Sequence, residues 1–163
     1  MRNAILWPLL CAGLLCITKT AAEPTVPPPC QSTVSGDLRL HPLESRIFGN
    51  TRTIRVLLPP GYDAPGNKAR RYPVLYMLDG QNLFDACLSD VSHHEWGMDE
   101  TVYRLVAEKK IPPLIVALTQ SPDRLIEYAG HDGHARFVAE ELPAQLERDF
   151  NLLPGPAARG LMG

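Results

Sequence analysis

Asp79, Gly80, Gln81 and Asn82 follow directly on the apolar run at residues 74–78. A continuous apolar run bounded by Pro and Gly is the pattern of a strand buried on both faces. In open α/β sheets ligands bind just outside the carboxyl ends of such strands, which places residues 79–85 where chemistry would occur. A hairpin turn at Asp79-Gly80 is the alternative, but residues 81–85 do not resume a β pattern. Other reactive side chains are scattered. The five histidines are His41, His93, His94, His131 and His134. Adjacent His93 and His94 point in different directions on an extended loop and make a poor metal pair. His131-x-x-His134 with Asp132 is compatible with a metal but lacks the helical H-E-x-x-H spacing; these read as solvent-facing or substrate-loop histidines. No metal or cofactor is expected. Ser89, Ser92 and Ser121 have no nucleophile elbow around them and read as loop polar residues. Trp96 is either a packing residue or an aromatic wall for an acyl or aryl group. Arg124 and Glu127 suit a structural ion pair that fixes their loop. Asp79, Asn82, Trp96 and Arg124 form the candidate substrate-binding set.

The elements that must position these residues are legible in order. Residues 1–22 have the outline of a secretory signal peptide: Arg2, an apolar stretch over 4–17, then Thr20-Ala21-Ala22 before Glu23. An uncleaved anchor is the alternative, but the run is shorter than the ~20 residues a bilayer requires, so cleavage near Ala22 and a secreted or periplasmic protein without a stable anchor are expected. Residues 23–44 read as a Pro-rich linker and a first edge strand. Ile54, Val56 and Leu58 alternate with Thr53, Arg55 and Leu57, the pattern of a half-buried strand. Gly49-Asn50 suits a hairpin turn between residues 46–48 and 52–58. Pro59-Pro60-Gly61 stops that strand. Asp99 reads as a helix N-cap, Thr101, Val102, Leu105 and Val106 supply an apolar stripe, and Pro112-Pro113 follow the helix. Residues 114–118 are a second short apolar strand, which completes a βαβ unit with parallel pairing. Residues 119–133 read as a loop. A helix over 135–150 buries Phe137, Val138, Leu142, Leu146 and Phe150, with a kink or restart at Pro143. A third strand begins at Arg159.

The 163 residues carry a formal net charge of -2 and no Lys/Arg run, which argues against nucleic acid as a partner. Two cysteines, Cys30 and Cys87, follow the signal segment. An oxidising compartment permits a disulfide between them, tying the N-terminal tail to the loop after the central strand; two independent thiols are the alternative.

Antiparallel leading strands followed by strand, helix, strand, helix and strand form the first half of an α/β-hydrolase sheet, a three-layer sandwich. There the loop after the first central strand donates one backbone N–H to the oxyanion hole. Such donors stabilise charge that develops only in the tetrahedral intermediate. The Gln81 N–H is the candidate donor, and Gly80 permits the sharp turn. Three segments carry a specific resemblance: R-T-I-R-V-L-L-P-P-G-Y at 52–62, Y-P-V-L-Y-M-L-D-G-Q-N-L-F-D at 72–85 and W-G-M-D-E at 96–100. R-L-I-E-Y at 124–128, Glu140-Glu141-Leu142 and residues 159–163 add to it. Together they resemble the secreted esterase family of enterochelin esterases, feruloyl esterases, esterase D and the mycolyltransferases. The resemblance implies a serine mechanism on a small-molecule carboxylic ester. It aligns Gly163 with the first glycine of G-x-S-x-G, two residues short of the nucleophile, and the family's acid and His follow that Ser. Residues 45–163 are therefore expected to be the N-terminal part of an esterase domain, ending at the strand before the elbow and lacking a nucleophile. A short form that binds an ester, glycan or siderophore without turnover is the alternative. Without a full strand at 159, residues 74–78 would present an open apolar edge.

Overall fold

The computed structural model describes residues 30–89, 93–121, 123–129 and 132–163. The expected signal segment, Ser92 and His131 lie outside the described residues.

Five strands form one mixed sheet: β1 (Asp37–Ser45), β2 (Asn50–Leu58), β3 (Val74–Met77), β4 (Ile115–Leu118) and β5 (Arg159–Met162), in the order β1-β2-β4-β3-β5. β1 and β2 are an antiparallel hairpin, β2 joins β4 antiparallel, and β3 lies parallel between β4 and β5. The helix α1 (Met98–Ala107) connects β3 to β4, so the expected βαβ unit is present with its strands directly paired. α2 (Arg124–Tyr128), α3 (Asp132–Arg136) and α4 (Leu142–Asp149) lie between β4 and β5.

Period-2 alternation divides the strand residues between two cores, as a sheet covered on both faces requires. Ile54, Val56, Leu58, Val74, Tyr76, Ile115 and Ala117 face Phe137, Val138, Leu142 and Leu146. Leu57, Met77 and Val116 face Val102 of α1, with Leu75, Met98, Tyr103 and Val106 packed around them. The result is the expected three layers.

Several boundaries differ from the sequence reading. β1 runs through Pro42, which an edge strand tolerates because its outward N–H is not needed. The hairpin turn comprises residues 46–49 rather than Gly49-Asn50. Arg46, Ile47 and Phe48 therefore lie in the turn and not in a strand; Glu141 fixes it by accepting from the Ser45 hydroxyl and the N–H groups of Arg46 and Ile47. α1 is capped by Gly97 in the left-handed region (φ 59°), and Asp99 is a buried residue of the first turn instead of the cap. α2 forms inside the stretch read as loop, with the Asp123 carboxylate accepting from the Ile126 N–H. α3 and α4 are joined by a π-helical stretch, Phe137–Glu141, just before Pro143. Proline lacks the N–H for the regular ladder, so the widened turn and restart are the expected kink.

β5 pairs with β3 along its whole length, Val74 to Met77 against Arg159 to Met162. The outer edge of the sheet is therefore β5, not the open β3 expected from the sequence. The Cys30–Cys87 disulfide is formed.

Candidate active site

The carboxyl ends of β3, β4 and β5 converge on residues 78–82. The Leu78 N–H donates to the Met162 carbonyl at 3.0 Å, and the Gly80 N–H donates to the Thr119 carbonyl at 3.1 Å. Asp79, between them, takes the left-handed conformation (φ 57°, ψ 43°). Gly80 is not among the positive-φ residues, so the reversal is made at the aspartate and not at the glycine assigned to it from sequence. Asp and Asn are the non-glycine residues that tolerate this region best. Gly80–Asn82 then form one 3-10 turn, closed by the Asn82 N–H donating to the Asp79 carbonyl at 3.0 Å. Gln81 is 4% exposed and sits in the middle of this turn.

Both sides of the turn are tethered. On one side, the Asn82 carbonyl accepts from the Trp96 N–H at 3.0 Å, and the Leu83 carbonyl accepts from the Met98 N–H at 3.1 Å. The Ser89 hydroxyl lies within hydrogen-bonding reach of two acceptors, Asn82 Oδ1 at 3.2 Å and the His94 carbonyl. Asn82 and Trp96 thus share one loop, and the Trp96 side chain is 59% exposed. On the other side, α2 reaches the Asp79 carboxylate: Arg124 Nη2 lies 2.7 Å from Oδ2, and the Tyr128 hydroxyl donates to Oδ1 at 3.3 Å. Burial, with the Asp79 charge beside it, pushes the Tyr128 hydroxyl up to about 12, so it remains a donor throughout the neutral range.

Arg124 and Glu127 do not pair with each other, contrary to the sequence expectation. Arg124 reaches Asp79, whereas Glu127 turns inward to Arg52 of β2. Arg52 gives Nη1 and Nη2 to the two Glu127 oxygens at 3.0 and 2.6 Å. Its guanidinium stacks 3.7 Å from the Phe48 ring centroid and 5.1 Å from that of Phe137. Burial opposes ionisation of Glu127, but the hydrogen bonds and charge of Arg52 hold its carboxyl below the usual value. His134 Nδ1 lies 3.4 Å from Glu127 Oε2, and its ring meets Tyr128 edge-on at 4.6 Å. Burial outweighs Glu127 and lowers the imidazole below its ordinary value, which leaves it neutral at pH 7. Sequence reasoning missed Arg52 and its role. The signal was parity, since Arg52 shares the inward register of Ile54, Val56 and Leu58.

A cavity of about 790 Å³ opens on the α3–α4 face of β3 and β5, where Tyr76, Leu161, Tyr128, His134 and Val138 contribute to its walls. The residues lining it do not include Asp79, Gly80, Gln81, Asn82, Trp96 or Arg124. β5 lies close against β3: a Cβ on Gly163 would come 2.9 Å from Leu78 Cγ, and one on Gly160 would come 3.0 Å from Leu75 Cδ1. Glycine at 163 is a packing requirement, whereas at 160 the tip of Leu75 would have to give by a few tenths of an ångström.

This arrangement sets the backbone of Gln81 at the carboxyl end of a central strand, with an exposed aromatic on one side and a neutralised Asp–Arg pair on the other. Comparison with known proteins gives the context. A family model described as "Putative esterase" matches residues 45–163. A search of curated proteins gives no match. Among solved structures, the chain is similar to an IroE-like serine hydrolase from Shewanella oneidensis, with 22% identity and TM-score 0.56, covering 71% of this chain and 40% of that one. It is also similar to a CE1 ferulic acid esterase from the anaerobic fungus Anaeromyces mucronatus, with 22% identity and TM-score 0.56, covering 84% and 51%. The enterobactin esterase FES from Shigella flexneri is a third such structure, with 14% identity and TM-score 0.57, covering 77% and 29%. The chain thus spans about half or less of the length of these structures. At such identities the likeness shows the fold: the sheet and its helices are the N-terminal part of an α/β-hydrolase-type esterase fold. The match over residues 45–163 places the chain in the Esterase family.

Proposed function

We propose that this chain is the N-terminal part of an exported serine esterase that hydrolyses a small-molecule carboxylic ester without a cofactor. Gln81 supplies one oxyanion-hole N–H, and Trp96, Asn82 and the Asp79–Arg124 pair border the substrate. The observation that carries the reading is the Asp79–Asn82 turn, held at the carboxyl end of β3 beside that of β5. A backbone donor there is fixed before reaction, so it stabilises developing negative charge with little reorganisation. In the family motif the nucleophile lies two residues past Gly163, on the strand-to-helix elbow. Its hydroxyl and the Gln81 N–H would then face the same carbonyl carbon and oxygen. The apolar stretch at residues 4–17 supports export to a secreted or periplasmic location.

The test has two parts: the coding region past the Gly163 codon is read, and the encoded polypeptide is assayed on a chromogenic aryl ester. The expected result is Xaa-Ser-Xaa-Gly, then an acid and a His, with turnover that disappears when that Ser becomes Ala. A stop codon directly after Gly163, with saturable ester, glycan or siderophore binding and no turnover, would replace catalysis by binding. Turnover by residues 1–163 alone would overturn the location of the nucleophile.

A further inference from the structure

The Asp79 carboxylate is occupied from within the protein. Arg124 neutralises one oxygen, the Tyr128 hydroxyl takes the other, and both come from a single turn of α2. The backbone of Asp79 is equally constrained, because the N–H groups of Leu78, Gly80 and Asn82 bond to Met162, Thr119 and Asp79 itself. A non-glycine residue at φ 57° carries a conformational cost that its surroundings must offset. α2 has just five residues, too few to be stable alone, so its own position needs an anchor. The buried Arg52–Glu127 bridge, clasped between Phe48 and Phe137, is that anchor.

We propose that Asp79 is a positioning residue: Arg124 and Tyr128 clamp it so that the Gly80–Asn82 turn holds the Gln81 N–H in one fixed direction. The purpose of that direction rests on the esterase reading above; the clamp itself does not. Two links in series follow. β2 fixes α2 through Arg52 and Glu127, and α2 fixes the turn through Arg124 and Tyr128. Loosening the second link should free the turn and leave the body of the fold intact, because the Arg124 side chain is more than half exposed and Tyr128→Phe keeps the ring packing.

Amide hydrogen exchange on the full chain reads this directly. Arg124→Ala, Tyr128→Phe, their double variant and Arg124→Lys are compared with the parent. The expected result is exchange about tenfold faster at residues 80–83 in the double variant, with smaller rises in the single ones, since charge-assisted hydrogen bonds are the stronger class. β2 and α1 should keep their protection. Arg124→Lys should restore most of the difference, because the ammonium can still pair with Asp79. Unchanged exchange at the turn in the double variant overturns the proposal. So does a rise spread uniformly over the molecule, which would make the contacts merely structural. No ester enters this measurement. A failed turnover assay with the exchange pattern intact would sink only the esterase reading, whereas unchanged exchange beside good turnover would sink only the clamp.

Discussion

Arg52 shows how much one side chain decides here. It is 5% exposed, and its charge is tolerated because Glu127 takes both terminal nitrogens. Removing one partner of a buried pair leaves an uncompensated charge, which typically costs about 3–5 kcal/mol. Arg52→Met is therefore expected to lower stability by that order in chemical denaturation. Arg52→Met with Glu127→Met should recover part of the loss, because two apolar groups leave no orphaned charge. The pH dependence has a definite sign. The Glu127 carboxyl sits below its ordinary value in the folded state, so its contribution is present above the unfolded-state range near 4.5 and is lost as pH falls through the depressed folded value. Asp99 behaves oppositely. Burial, with Glu100 adjacent, raises its carboxyl from 3.8 to about 6. The folded protein then holds a proton that the unfolded chain releases, so stability should decline as pH rises from about 4 to about 6 and level off beyond. Asp99→Asn should flatten that decline in a series of melting temperatures. The sequence marked Asp99 as a cap because acids favour that position. It could not show that Gly97 would cap the helix and leave the acid facing the Ser35 N–H at 2.6 Å.

At the scale of elements, the legible parts were those set by local pattern. The alternation in β2, the apolar run of β3, the stripe on α1 and the buried face over 137–146 were all readable, because burial selects residue type directly. The unreadable parts depend on distant partners. α2 is only five residues long and owes its place to Arg52 and Asp79, which are far away in sequence. The strap at residues 30–37 is similar. Two alternatives were open for Cys30 and Cys87, and the structure joins them across 57 residues. Around that bond, the Ser32 hydroxyl donates to Asp85 Oδ2 at 2.8 Å and the Ala86 N–H donates to Thr33 Oγ1 at 2.9 Å. The strap thereby holds the loop that leads from the candidate donors towards Trp96. Cys30→Ser with Cys87→Ser reopens a long loop in the unfolded chain, a loss of up to about 4 kcal/mol by loop-closure entropy. The expected outcome is a lower melting temperature, with faster exchange in residues 83–89 before the sheet is affected. Equal exchange in that loop with and without the bond would show that the hydrogen bonds suffice.

The whole molecule has one asymmetric side. β1 closes one end of the sheet with a long hairpin strand that carries Pro42 and charged residues, features that discourage edge pairing. β5 closes the other end with four residues, of which Leu161 is 63% and Met162 44% exposed. Leu161 also borders the cavity of about 790 Å³, so exposed apolar surface continues from the strand onto the α3–α4 face. The one charge on this edge, Arg159, is paired with Glu147, and residues 160–162 carry none of the charges, prolines or bulges by which proteins avoid edge association. The purified 163-residue chain is therefore expected to self-associate through β5, with light scattering that rises with concentration. Leu161→Lys places a charge on that edge and should raise the onset of association severalfold without changing the circular dichroism spectrum. The strand pairing is kept, because the backbone bonds of Leu161 to β3 do not depend on its side chain. A parent chain that stays monodisperse across that concentration range and unfolds cooperatively would mean that β5 is adequately protected. The cavity would then have to be regarded as a stable feature of the surface rather than as apolar area awaiting cover.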